Sequence, residues 1–141
     1  MIVEFYGLRL ALPEGWSDIT DDLPEGSPPT LAKPDGVGVI QFSISRYRGG
    51  ENPRISTANL KGLLEDFCLR NSLNCQSIRE QPGDIMSAAI VSENDESLIA
   101  VWYLSNGMDV VLATYNGSQL KRFKAERELM EARTVIESVR F

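Results

Sequence analysis

The sequence contains no histidine and only two cysteines, and no apolar run approaches membrane-spanning length. Without histidine there is no Ser-His-Asp or Cys-His catalytic set, no imidazole metal ligand and no side chain with its ordinary pKa near neutrality. Two cysteines without histidine cannot form a usual zinc site. A transmembrane helix needs about 20 consecutive apolar residues, so no membrane span is expected. The start, Met1-Ile2-Val3-Glu4-Phe5-Tyr6, has neither a basic segment nor an apolar signal core, and the expected location is the cytoplasm. In that compartment Cys68 and Cys75 are expected as two buried thiols, a disulfide across the short intervening loop being the alternative. Positive charge is also scarce: Lys plus Arg number 14 against 20 Asp plus Glu, for a net charge of -6. That balance argues against phosphate-driven nucleic-acid binding. It suits either plain solubility or a basic protein partner.

What is present describes one soluble globular domain over residues 1–141. Hydrophobic content is 43% and charged content 24%, both ordinary for a folded domain. A chain of this length buries roughly 70% of the surface its unfolded form exposes.

The chain opens with two alternating runs, Val3-Glu4-Phe5 and Leu8 to Leu12, separated by Gly7. They read as strand, bulge or tight turn, strand. Pro13 ends the second run, Gly15 allows a turn, and Trp16 is expected to plug the end of the core. Residues 17–36 are rich in Pro, Gly, Asp and Ser and read as a loop, with a short strand at Thr30-Leu31-Ala32. From Val37 to Tyr47 the residues alternate, Ile40, Phe42 and Ile44 facing one side and Gln41, Ser43 and Ser45 the other.

Ser56 or Thr57 then caps a helix whose apolar stripe is Leu60, Leu63, Leu64 and Phe67, with Lys61, Glu65, Asp66 and Arg70 opposite. Cys68 lies on this helix and Cys75 opens the next strand pattern. Strand-like runs follow at 77–80, 85–92, 98–105 and 108–116, the last pair joined by the hairpin signal Asn106-Gly107. A helix over about 119–139 closes the chain, with Ala125, Leu129, Ala132, Ile136 and Val139 on one face. Strands, helix, meander, helix predicts an α+β sandwich, one antiparallel β-sheet flanked by helices.

Leu12-Pro13-Glu14-Gly15-Trp16 after the first strands, the meander, and the closing Val135-Ile136-Glu137-Ser138-Val139-Arg140-Phe141 together resemble the PsbP-like fold, which DcrB-like bacterial proteins share. The resemblance implies an α/β/α sandwich and a noncatalytic binding module without a cofactor. For a small bacterial member it implies an immunity protein that neutralises a toxin by binding it, or a type VI secretion chaperone that shields apolar effector helices. The Ser17 to Asp22 segment and the Pro/Gly-rich loop after it depart from the chaperone pattern.

Candidate partner-binding residues follow from chemistry. Asp18, Asp21, Asp22 and Glu25 crowd one loop. Their spacing does not match a calcium loop, and the choice lies between a solvated acidic turn and a face for a basic partner. Tyr47 stands beside Arg46, Arg48, Gly49 and Gly50, an Arg-Gly-Gly stretch more simply read as a strand end and turn. Trp102 and Tyr103 are adjacent in a strand and must face opposite sides; one belongs in the core, and the other lies under a helix or anchors a partner. A small-ligand carrier or an enzyme is a further alternative and would need a deep pocket with convergent carboxylates.

Overall fold

The computed structural model describes residues 1–141. Strands β1 (Ile2–Phe5) and β2 (Leu8–Ala11) form a two-stranded ribbon of their own. Tyr6 and Gly7, both at positive φ, make its two-residue turn. Seven further strands form one antiparallel sheet: β3 (Ser17–Asp18), β4 (Thr30–Ala32), β5 (Gly38–Ser45), β6 (Arg79–Gln81), β7 (Met86–Glu93), β8 (Ser97–Ser105) and β9 (Val110–Ser118). Their spatial order is β3-β4-β5-β9-β8-β7-β6, so the predicted meander runs β6 to β9 and β5 joins it on β9. Helix α1 (Thr57–Arg70) covers one face and α2 (Arg122–Glu137) the other, giving the predicted α+β sandwich. No helix is long and apolar enough to cross a membrane.

The strand pleat divides the core in two. Phe42 of β5, Tyr115 of β9 and Trp102 of β8 join Ala125, Leu129, Ala132, Val135 and Ile136 of α2 in a cluster of 20 buried residues. The ribbon adds Phe5, Leu8 and Leu10, and Trp16 closes the cluster. Its indole Nε1 donates to Glu131 of α2 at 2.8 Å, and Lys33 pairs with the same carboxylate at 3.2 Å. On the other face a cluster of 7 joins Leu60, Leu64 and Cys68 of α1 to Ala88, Ile90, Val101 and Tyr103 of the sheet. The capping box that starts α1 is Ser56 with Asn59: each side chain takes the other's backbone N–H.

Several details depart from the sequence reading. Leu63 is exposed, and the buried stripe of α1 is Leu60, Leu64 and Cys68 with Phe67 half-buried. Cys75 does not open a strand; it lies in the loop after α1 and forms a disulfide with Cys68, so the expectation of two free thiols is corrected. The last turn of α1 and the return of the loop bring the two Cα atoms to 6.1 Å, inside the range a disulfide bridges. The hairpin after β8 has four loop residues rather than two, because Asn106 Oδ1 accepts from the N–H groups of Met108 and Asp109 and delays β9 to Val110. Ser17 and Asp18, expected in a loop, add an edge strand to β4.

A buried polar network also lay hidden in the pattern. Glu128 falls on the apolar face of α2 and is buried. It accepts from the Tyr115 hydroxyl at 3.0 Å and from the Val37 N–H at 2.9 Å, tying helix, sheet and the turn before β5 together. The Tyr115 ring needs the paired Gly38 and Gly117 to lie over, since a Cβ at either would sit within 2.7 Å of its hydroxyl oxygen. Burial, and then the bond to Glu128, push the Tyr115 phenol well above its ordinary pKa.

Candidate functional site

The structure separates the seven predicted partner-binding residues. Asp18 ends β3, Asp21 and Asp22 lie in the single helical turn Thr20–Asp22, and Glu25 follows in the next turn, all four exposed. Asp18 Oδ1 accepts from the N–H and hydroxyl of Thr20, which shapes the turn. None of the four carboxylates takes part in an ion pair, and they do not gather as a cation cage. They form an acidic border at the β3 edge of the sheet.

Tyr47 is exposed just past β5, with its backbone N–H on Asp109 Oδ1. Arg46 binds the other oxygen of Asp109 at 3.0 Å and reaches the Gly7 carbonyl. The Tyr47 ring occupies the space a side chain at Gly49 would need. These contacts account for the Arg-Gly-Gly stretch as a strand end and turn.

Trp102 and Tyr103 do face opposite sides, but each is only 6% exposed. Trp102 packs in the α2-side core, and Tyr103 lies edge-on to Phe67 under α1. Burial, the largest influence on it, raises the Tyr103 pKa, with Arg70 lowering it and Asp66 raising it. Neither stands out from an open sheet face as an aromatic anchor: Tyr103 lies under α1, and Trp102 reaches the surface only at the floor of a cleft beside α2. The part of the α1-side face beyond the reach of α1 presents Gln41, Ser43, Thr114 and Asn116, which is polar.

The exposed apolar surface is elsewhere. Leu120 is 92% exposed, Phe123 84% and Met130 67%. All belong to α2 or the helical turn that leads into it, Gln119–Lys121. Phe123 and Met130 are two turns apart, so they share a face, and exposed Arg127 stands between them. The opposite side of the helix carries Ala125, Leu129, Ala132 and Ile136 into the core. Around the stripe, Arg122 bridges Glu126 at 2.8 Å and Glu93 at 3.2 Å and holds the start of α2 to the β7–β8 turn. The bond to Glu126, then the charge of Glu93, raise the Arg122 pKa, so the guanidinium stays charged. The sequence reading missed these residues because it followed only the core stripe of α2. The signal was there as a second apolar set on the face that helical spacing turns outward.

No family model matches the chain, and no curated protein matches it. Solved structures do. The solution structure of cyanobacterial PsbP (CyanoP) from Synechocystis sp. PCC 6803 superposes with a TM-score of 0.62 at 12% identity, over 95% of this chain and 86% of that one. The chain has a PsbP-like fold. A crystal structure of a protein from Bacteroides thetaiotaomicron VPI-5482 superposes with a TM-score of 0.60 at 14% identity over 94% of the chain. The chain spans only 44% of that protein's length. At such identities the likeness shows the PsbP-like fold alone, and the surface residues of α2 have to be interpreted on their own chemistry.

Proposed function

We propose that this PsbP-like chain is a noncatalytic protein-binding module, and specifically an immunity protein that neutralises a toxin by covering its working surface. The observation that carries the reading is the outer stripe of α2. A largely exposed leucine, phenylalanine and methionine flanking an arginine cost solubility and contribute little to the core, while aromatic, Met and Arg side chains are those enriched in protein interfaces. The stripe is carried by a helix whose other side is locked into the larger core, so it is presented rigidly and little is lost on ordering it. A partner offering an apolar socket for Phe123 and Met130 fits it. The unpaired carboxylates of Asp18, Asp21, Asp22 and Glu25 would speed the encounter with a basic surface.

The chaperone alternative requires an apolar groove on an uncovered sheet face. On the α1 side the polar Gln41, Ser43, Thr114 and Asn116 do not favour it, and the open cleft over β6 and β7 on the α2 side is lined by arginines that an apolar helix would leave unpaired. The Cys68–Cys75 disulfide supports action in an oxidising compartment in place of the cytoplasm first expected. The test is co-expression with the protein encoded by the adjacent gene. The reading expects rescue of cell survival and a co-purifying complex, both lost in Phe123→Ser. Absence of rescue and of a complex would reject it.

A further inference from the structure

A second surface lies at the opposite edge of the sheet from the acidic border. An open cleft of about 1400 Å³ runs between the C-terminal end of α2 and the β6–β7 edge. Exposed Val91 and half-buried Phe141 give it an apolar floor, with buried Trp102 and Ile136 beneath. Arg9, Arg79, Arg133 and Arg140 line it, four guanidiniums in a chain with a net charge of -6.

None of the four is neutralised within the protein: the ion pairs of the chain use Lys33, Arg46, Arg122 and Lys124. The arrangement even brings two of them together. Arg9 and Arg140 exchange backbone hydrogen bonds of 2.9 and 2.8 Å as an isolated antiparallel bridge, which sets their side chains side by side. Like charges directly opposite one another destabilise such a pair. Part of Arg140 is occupied, since its Nη1 donates to the carbonyls of Val139 and Glu137 at the end of α2. Glu4, across the ribbon from Arg9, forms no ion pair with it.

The acidic residues along the cleft do not cancel the charge. Arg79 pairs with Ala89, which pairs with Trp102, so Arg79 is on the cleft side of the sheet. Glu80 borders the cleft, but it pairs with Ala88, which pairs with Tyr103, so its side chain is on the other side of the sheet. That leaves Asp84 and Glu137, neither in an ion pair, against four arginines.

An apolar floor under an unneutralised arginine rim matches a ligand with carboxylates beside apolar side chains. Its volume exceeds the roughly 300–1,000 Å³ of a small-molecule pocket, and β6 along one wall is a short, exposed edge strand beside which an extended chain can lie. We infer that this cleft binds an extended acidic peptide segment of a protein partner, its carboxylates taken by Arg9, Arg79, Arg133 and Arg140 and its apolar side chains resting over Val91 and Phe141. The site is independent of the outer stripe of α2.

The experiment is fluorescence anisotropy with a labelled peptide of alternating Glu and Leu, its Lys/Leu counterpart, and inorganic phosphate as competitor. The acidic peptide should bind, weaken with added salt, and withstand phosphate. Affinity should fall about tenfold or more in the double variant R79E/R133E. It should hold in R48E, a charge reversal outside the cleft, and in the Phe123→Ser variant, with circular dichroism checking that each variant is folded. Equal binding of the Lys/Leu peptide, unchanged affinity in folded R79E/R133E, or full displacement by phosphate would overturn the inference.

Discussion

Helices α1 and α2 do the same job on opposite faces of one sheet and differ on both of their own sides. Inward, α2 joins a cluster of 20 buried residues, whereas α1 joins one of 7 and is additionally stapled at its last turn by the Cys68–Cys75 disulfide. Outward, α1 exposes Leu63 and Leu69 singly among Lys61, Glu65, Asp66 and Arg70, whereas α2 and the turn leading into it present Leu120, Phe123 and Met130 together. The difference teaches that the inner stripe of a helix and its outer one answer to separate demands. The smaller core is reinforced covalently, and the helix that needs no such help is the one free to offer a second apolar face.

Breaking the larger core should produce the largest effect. Trp16→Ala removes a buried aromatic and its bond to Glu131, and should cost about 3–5 kcal/mol in urea unfolding. Leu64→Ala, the matching lesion beneath α1, should cost about 2–5 kcal/mol, toward the low end if the thinner layer there can collapse onto the gap. The staple comes next. Replacing Cys68 and Cys75 together by serine should cost about 2.5 kcal/mol by the chain-entropy argument for so short a loop. Thiol titration of the native protein should find no free sulfhydryl, and two reactive thiols would remove the distinction between the two faces.

A subtler difference concerns Tyr115, whose phenol is raised by burial and by Glu128. Because the unfolded phenol ionises first, stability is fully present below about pH 10 and declines as pH rises above it. Tyr115→Phe should flatten that alkaline decline, as read from unfolding midpoints across pH.

Much of this contrast is legible in the sequence. The alternation of Ile40, Phe42 and Ile44 marks β5, and the spacing of Ala125, Leu129, Ala132 and Ile136 marks the inner side of α2. Both are local periodicities of side-chain burial. The Glu128–Tyr115–Val37 network is not legible, because a glutamate in a helix ordinarily points to solvent and its partners lie 13 and 91 residues away. The disulfide escapes for a related reason: cysteine spacing does not reveal whether a loop turns back on its helix. Trp102 and Tyr103 show the limit from the other direction. Alternation assigns them to opposite faces, but whether a helix lies over each face is a matter of tertiary packing.

The smallest effect on stability is expected on the outer side of α2. Leu120→Ser, Phe123→Ser and Met130→Ser should each stay within about 0.5 kcal/mol of the parent, since these side chains are already in water. The same three changes combined give the most direct test of the central claim, that α2 faces a partner protein with its outer stripe. The measurement is the affinity of the protein encoded by the adjacent gene for the parent chain and for the triple variant, at matched stability. The account predicts a complex with the parent and its loss in the variant. A partner bound equally well by both would contradict it.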